Sequence, residues 1–214
     1  MKERRCVKVK KLKRRKFLLK IPFYQQTLPT SCGAACLLMV GNFFNPERFP
    51  LNREKELEIH EKIRYWEGDE NGEFGNVAKM IRFMRENGFK IRYFLEISPN
   101  AFNPPPNFDK ELWERYMNSF LEVLNEEKEK GLEIIESCNL RLLIDEVLMG
   151  RPVIAEVQWS GYITHYIVIR GIKGNVVYFL DPLCKSGYRR EHKSWLKENL
   201  NLKLGKNFFS IFLS

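Results

Sequence analysis

Long apolar runs are missing from this chain of 214 residues. None approaches roughly 18 residues, the length that a membrane-spanning helix needs, and the first residues contain no apolar core of the kind found in secretory signals. We therefore expect no transmembrane segment. With 44% hydrophobic residues the chain is typical of a globular protein, and it is long enough to bury a full core.

Cysteine is also sparse and irregularly placed. The five cysteines stand at positions 6, 32, 36, 138 and 184, a spacing that matches neither a disulfide framework nor a set of zinc ligands. This spacing predicts neither disulfides nor a zinc site, and we expect no other metal and no organic cofactor either. Cysteines without such a pattern are typical of the reducing cytoplasm, where a reactive thiol stays reduced.

The net charge of +9 is concentrated at one end of the chain. Residues 1–20 contain eleven Lys or Arg and one Glu, so they carry +10 and the remainder carries −1. We interpret residues 1–16 as a basic N-terminal arm that precedes an electrically neutral body. A solvated arm is the simplest interpretation. The alternative is contact with a polyanion, either nucleic acid or an anionic membrane surface, which would make a cytoplasmic protein peripheral to that surface.

Cys32 follows a loop containing Pro29 and opens a small, apolar stretch that predicts a buried helix. Its thiol would lie in the first helical turn, where unpaired N–H groups and the helix dipole favour an anion such as a thiolate. Gln26, six residues upstream, could supply a side-chain amide to an oxyanion, although the adjacent Gln25 leaves this assignment open by one residue. Cys36, one turn further on, is expected to be a buried core residue. Cys32 could also be structural, so its partners decide the interpretation.

A cysteine nucleophile needs a histidine base, and the chain contains three histidines. His60 lies in a charged amphipathic segment and His192 in a basic, polar one. Only His165 stands at the start of a run with strong strand character, Thr164–Ile172. We therefore take His165 as the candidate base.

A second apolar run, Val176–Pro182, follows after a Gly174-Asn175 turn, and together the two runs predict a β-hairpin. For any short turn, Asp181 falls within about three residues of the position opposite His165, which permits a cross-strand or diagonal contact. A carboxylate beside the ring would fix its tautomer and stabilise the imidazolium. Asp181 could instead cap a turn before Pro182.

These motifs together resemble the papain-like cysteine peptidases that remove double-glycine leaders from bacteriocin precursors, including stand-alone members. The resemblance rests on Gln26, on the run Cys32-Gly33-Ala34-Ala35-Cys36-Leu37, on His165-Tyr166 and on Asp181-Pro182. It implies Cys32 as nucleophile, His165 as general base and Asp181 as the group that orients it. It also implies an oxyanion hole made by Gln26 and the Cys32 backbone N–H. Ser31 stands where many relatives carry an acidic residue, so substrate specificity is not carried over.

Residues 17–214 are expected to form one α+β domain of papain-like fold, with helices first and an antiparallel sheet afterwards. The nucleophile's helix would pack on the strands that carry the histidine and the aspartate. Residues 97–137, which follow the compact first half, are predicted to be a helical insertion. Within it, Asp109 begins a long helix whose aromatic stripe is interpreted as packing onto the body.

The function expected from these features is hydrolysis of a peptide or amide bond through a thioester, by a Cys-His-Asp triad acting on a peptide or protein substrate. Two alternatives remain: an acyltransferase or transpeptidase that uses the same thioester, and a non-catalytic peptide-binding module that keeps the triad residues. Trp159, Gly161 and Tyr162, just before His165, are candidates for an acyl-side groove, with ordinary core and turn packing as the alternative.

Overall fold

A computed structural model describes residues 17–65, 75–97, 109–160, 163–200 and 205–213. Within these ranges the chain forms six helices. They are α1 (Cys32–Phe44), α2 (Arg53–Ile63), α3 (Val77–Glu86), α4 (Lys110–Glu129), α5 (Leu140–Leu148) and α6 (Lys193–Asn199). Among the described residues, no helix combines the length and the apolarity needed to cross a bilayer.

Eight strands in the described ranges form a single sheet. They are β1 (Phe17–Leu18), β2 (Lys90–Ile97), β3 (Glu133–Ile135), β4 (Val153–Ser160), β5 (Ile163–Lys173), β6 (Val176–Leu180), β7 (Tyr188–His192) and β8 (Gly205–Phe212). The order across the sheet is β3-β2-β8-β4-β5-β6-β7, and β1 pairs with β5 outside this path. The β2–β3 pair is parallel and the other pairs are antiparallel. The predicted α+β fold class is confirmed.

Side chains that alternate along the central strands separate the core into two layers. Ile154 and Val168 belong to a cluster that α1, α2, α3 and α4 cover, whereas Val153 and Ile167 belong to a cluster covered by α5 and α6. The sheet therefore lies between two groups of helices. Because α1 packs directly on β5, the first turn of α1 lies close to the strand that begins near His165.

Most of the helices begin with a side-chain cap of the expected kind. Asn52, Asn76, Asp109 and Asn139 each accept a hydrogen bond from a backbone N–H in the first turn of their helix. Helix α1 differs, because Ser31 at its N-cap position makes no side-chain cap bond. The first-turn N–H groups of α1 are therefore left without a side-chain acceptor from the cap.

The segment predicted to be a helical insertion, residues 97–137, contains both a helix and a strand. Helix α4 packs against α3 through the buried carboxylate of Glu127, which pairs with Arg82 and Arg85. Strand β3 then adds to the edge of the sheet beside β2. Residues 110–129 and 133–135 thus contact both layers and are integrated into the fold.

Residues 17–24, which precede the loop before Cys32, contain only a very short strand. Only Phe17–Leu18 pairs with β5, followed by one further backbone bond from Leu19 N to Arg170 O of 2.7 Å. Pro22 has no N–H to donate, so the ladder cannot continue through it. The chain then turns away from the sheet and leads into the loop before α1.

Candidate active site

Cys32 is the first residue of α1, as predicted, and its side chain is partly exposed. The first turn of α1 packs closely on α3, because a Cβ at Gly33 would lie 3.1 Å from the sulfur of Met80. Cys36 is fully buried one turn later, and its Sγ lies 3.4 Å from the carbonyl oxygen of Tyr166. The two thiols therefore differ in accessibility, with Cys32 at the surface of the site and Cys36 in the core.

The predicted hairpin places His165 and Asp181 in contact. Val168 pairs with Leu180 across β5 and β6, so Asp181, one residue beyond β6, lies diagonally from His165. His165 Nε2 and Asp181 Oδ1 are 2.9 Å apart, and both side chains are buried. The turn between the strands has a positive φ of 60° at Gly174, in agreement with the Gly-Asn turn expected from the sequence.

Cys32 lies close enough to His165 to help raise the pKa of its ring, through a hydrogen bond and through charge. Because Nε2 faces Asp181, Nδ1 is the ring nitrogen available to the thiol. Burial opposes the charged imidazolium, but hydrogen bonds to Asp181 and Cys32, with their charges, outweigh it and raise the pKa of His165 to about 9. The ring is therefore held between a carboxylate and a sulfur in an environment that favours its protonated form.

The Asp181 carboxylate is fixed by three donors. Oδ1 accepts from His165 and from the backbone N–H of Leu183 at 3.0 Å, and Oδ2 pairs with the guanidinium of Arg189 at 3.2 Å. Burial acts to raise the pKa of Asp181, but His165, Leu183 and Arg189 together hold it below its ordinary value. Asp181 is therefore a fixed negative charge beside the ring.

Gln26 is buried in the loop before Cys32, and its backbone N–H donates to Pro182 O at 3.1 Å. Its side-chain Nε2 donates to the carbonyls of Leu28 and Pro29, at 2.7 and 3.2 Å. Among the described residues, its Oε1 is buried without a hydrogen-bond partner. The structure thus places Gln26 in the loop before α1, where its backbone is bonded to the turn after Asp181. Its side-chain amide donors are directed to carbonyls of its own loop.

The turn after Asp181 packs against the segment that leads to Gln26. Asp181 N donates to Gly187 O at 2.9 Å, and Gly187 has a positive φ of 65°. A Cβ at Gly187 would lie 2.2 Å from the ring of Phe23. Only glycine fits this contact, so the turn after Asp181 and the segment that leads to Cys32 are held in direct contact.

Two neighbours of the site were not identified from the sequence. Glu56, from α2, is fully buried and accepts hydrogen bonds from the loop before Cys32. Tyr116, from α4, stacks on Tyr65 with ring centroids 3.2 Å apart. Burial is the main cause that raises the pKa of Tyr116, and the nearby Cys32 contributes to it, so α4 reaches the vicinity of the thiol. The aromatic stripe of α4 indicated core packing, which is correct for Trp113 and Phe120 but incomplete for Tyr116.

The remaining predicted residues lie elsewhere or outside the described part of the chain. Gly161 and Tyr162 fall outside the described residues, as does the side chain of Trp159, so the predicted acyl-side groove stays a prediction. His192 caps α6 by accepting from Ser194 N, and His60 lies within α2. In the described ranges, no group of three or more His, Cys, Asp or Glu side chains is arranged to hold a metal ion.

Residues 18–202 match the model of the Peptidase_C39 like family. The chain belongs to this family. The prediction of a cysteine-type, peptidase-like hydrolase is thereby confirmed, as is the resemblance to the double-glycine leader peptidases. A search of curated proteins gives no match.

Two solved structures confirm the fold, and a third is similar to the chain at a lower score. A chain from Bacillus anthracis described as a C39-like peptidase aligns with a TM-score of 0.58 at 12% identity, covering 94% of this chain and 98% of its own. The peptidase domain of Streptococcus ComA, a bi-functional ABC transporter involved in a quorum sensing pathway, aligns with a TM-score of 0.50 at 13% identity, covering 91% and 99%. A double glycine motif protease from an AMS/PCAT transporter, solved with its leader peptide, has 16% identity, a TM-score of 0.49 and coverage of 92% and 95%.

Proposed function

We propose that the protein cleaves a peptide bond in a peptide or protein substrate, with Cys32 as the nucleophile. The observation that carries this proposal is the position of His165, which contacts Cys32 on one side and Asp181, at 2.9 Å, on the other. A nucleophile, a base and a group that orients the base are the parts that thiol-based acyl transfer requires. Membership of a peptidase family makes an amide the expected acyl donor.

In the first step the Cys32 thiolate attacks the scissile carbonyl carbon, and the carbonyl oxygen becomes an oxyanion. The backbone N–H of Cys32, at the first position of α1, has no partner within the helix and stabilises this charge. Gln26 would add a second donor by releasing its longer bond, that to Pro29 O at 3.2 Å. Both donors belong to one continuous loop.

Protonated His165 then gives its proton to the leaving amine as the C–N bond breaks, and the acyl group remains on Cys32 as a thioester. The neutral imidazole next takes a proton from water, whose oxygen adds to the thioester carbonyl. Collapse of this second intermediate releases the carboxylic acid and regenerates the thiolate–imidazolium pair. Asp181 remains ionised throughout and stabilises the charged ring.

The test is direct incubation of the purified protein with a defined peptide library, followed by mass spectrometry of the new termini. We expect cleavage by the wild type and by Cys36→Ala, which serves as the matched thiol control, and no cleavage by Cys32→Ala. When no amine is added, a hydrolase gives free acids as products. Adding an amine such as hydroxylamine shows whether the acyl group can also be transferred to an amine. Products joined to a second peptide would instead indicate a transpeptidase, and cleavage by Cys32→Ala at the wild-type rate would contradict enzymatic activity at this thiol.

We further propose that the protein acts in a reducing compartment, the cytoplasm. All four cysteines in the described ranges are free thiols, which supports this location. Residues 1–16, which lie outside the described residues, are proposed to contact a polyanion because their net charge equals that of the whole chain, +9.

A further inference from the structure

Glu56 is a fully buried carboxylate that is bonded only to uncharged donors in the described structure. Its Oε1 accepts from the backbone N–H of Thr27 at 2.9 Å and from the Ser31 hydroxyl at 2.6 Å. Its Oε2 accepts from the hydroxyls of Thr27 at 2.6 Å and Tyr24 at 3.0 Å. A buried carboxylate is costly unless its acceptor sites are filled, so four bonds of this kind indicate a tightly fitted site.

All four donors belong to the loop that carries the proposed oxyanion donors. Tyr24 and Thr27 lie on either side of Gln26, and Ser31 immediately precedes Cys32. Glu56 itself is held by α2, whose Ile59 and Ile63 are fully buried in the core. One rigid carboxylate therefore sets the positions of both ends of the loop relative to each other.

The contact with Ser31 also changes the start of α1. A serine at an N-cap usually accepts a hydrogen bond from an N–H of the first turn. Here the Ser31 hydroxyl donates to Glu56 and makes no cap bond. The contact thus keeps the serine hydroxyl away from the N–H groups of the second and third residues of α1, which it would otherwise cap, so the helix start stays open to an anion.

We propose that Glu56 is a positioning residue for the reaction: it fixes the loop of residues 24–31 so that Gln26 and the Cys32 N–H act together on the oxyanion. This inference rests on the proposed function of Cys32. Glu56 does not touch the reacting atoms. Its effect is on the geometry of the transition-state contacts and not on the formation of the thiolate–imidazolium pair, which belongs to His165 and Asp181.

The experiment compares two small probes of Cys32 in the full-length protein. Acylation by p-nitrophenyl acetate passes through an oxyanion, whereas alkylation by iodoacetamide does not. Glu56→Met removes all four acceptor interactions at similar volume, and Glu56→Gln keeps a carbonyl oxygen for Thr27 N and Ser31. Glu127→Met is the matched control, because Glu127 is a buried carboxylate in a network with Arg82 and Arg85 that holds α4.

We expect Glu56→Met to lower the acylation rate about 10- to 100-fold, as misplaced transition-state donors do, while alkylation stays near the wild-type rate. Glu56→Gln should recover most of the acylation rate, and Glu127→Met should change neither rate per folded molecule. On a peptide substrate the loss should appear in kcat per titrated thiol, with KM little changed. If Glu56→Met does not fold, Ser31→Ala, which removes a single donor, should show a smaller loss confined to acylation.

Equal losses in acylation and alkylation would mean that Glu56 only supports the fold, and unchanged acylation would exclude any role in the oxyanion site. Either result overturns the inference. The two-probe comparison needs no peptide turnover. If the wild type cleaves no peptide but loses acylation selectively in Glu56→Met, the proposed peptidase function fails while the positioning role stands.

Discussion

The two carboxylates on either side of Cys32, Asp181 and Glu56, are both fully buried but are bonded to different kinds of partner. Asp181 is bonded to His165 and Arg189, so its half of the site contains a titratable ring and a cationic guanidinium. Glu56 is bonded to hydroxyls and one backbone N–H, so its half is held by neutral donors. Burial, together with Glu56, raises the pKa of Tyr24 to about 12, and this donor keeps its proton far above the pH at which His165 titrates. The difference suggests a division of roles, with proton transfer in the charged half of the site, around Asp181, and fixed geometry in the neutral half, around Glu56.

The strongest test of this comparison is the residue between the two halves. Cys32→Ala should reduce turnover to background, because both halves act on its sulfur, and should change the free energy of unfolding by less than about 1 kcal/mol since the side chain is small and partly exposed. Cys36→Ala should keep turnover and lose about 1 kcal/mol of stability, because its thiol is buried against Tyr166. Peptide kinetics and urea unfolding measure both. Turnover retained in Cys32→Ala would remove the basis for the whole site.

The next largest effect should come from the charged half. Asp181→Ala removes the acceptor of His165 Nε2 and should lower kcat/KM by about 10²- to 10⁴-fold. Asp181→Asn should lose less, because an amide oxygen can still accept from His165 and Leu183. Steady-state kinetics of the two variants side by side give the ranking. A wild-type rate in Asp181→Ala would show that Asp181 is only a turn residue and that another group orients the ring.

The pH dependence should separate the two halves more finely. We expect kcat/KM to fall as the pH rises through about 9, since deprotonated His165 can no longer protonate the leaving amine. Because folding raises the pKa of His165 from 6.5 to about 9, its stabilising contribution is complete below pH 6.5 and is lost as the pH rises to 9. Asp181→Asn should move the high-pH fall of the kcat/KM profile to lower pH, since Asp181 helps to raise the pKa of His165. Glu56→Gln should leave the high-pH fall of kcat/KM unchanged. A shift of that fall in Glu56→Gln would contradict the division between the charged and neutral halves.

The smallest effect on catalysis should come from the basic arm. Strand β1 pairs with Ile172 and Gly171, about six or seven residues along β5 from His165, which is on the order of 20 Å. Deleting residues 1–15 should therefore leave hydrolysis of a small neutral substrate nearly unchanged. It should abolish binding to heparin or another polyanion, and in the full chain that binding should weaken steeply with salt. Loss of small-substrate activity with an intact fold would place the arm in the active site.

The sequence predicts the charged half of the site better than the neutral half. The alternation of Thr164–Ile172 and the Gly174-Asn175 turn together determine a register, and a register determines which side chains meet. The pairing of His165 with Asp181 follows from this local pattern. In the same way, the small residues after Ser31 predict the start of α1.

The neutral half depends on contacts that no local pattern encodes. Helical spacing puts Glu56 on the same face of α2 as Ile59 and Ile63, but no local pattern shows that this face meets the loop before Cys32. Its burial arises only when α2 packs against the loop before Cys32. Strand β7 was not predicted for a related reason: its exposed, polar residues 188–192 lack apolar alternation, and the strand exists because β6 offers an edge for pairing.

The site is built from segments that are synthesised at different times during translation. Cys36, one turn beyond Cys32, contacts Tyr166, which is 130 residues later in the chain. At roughly 5–20 residues per second, translation needs on the order of ten seconds to bring the histidine after the cysteine. During that interval the nascent chain carries the Cys32 thiol without His165 and without the aspartate turn that packs on its loop. A peptidase assembled in this order cannot cut itself, or the nascent chains beside it, before its own sheet has formed.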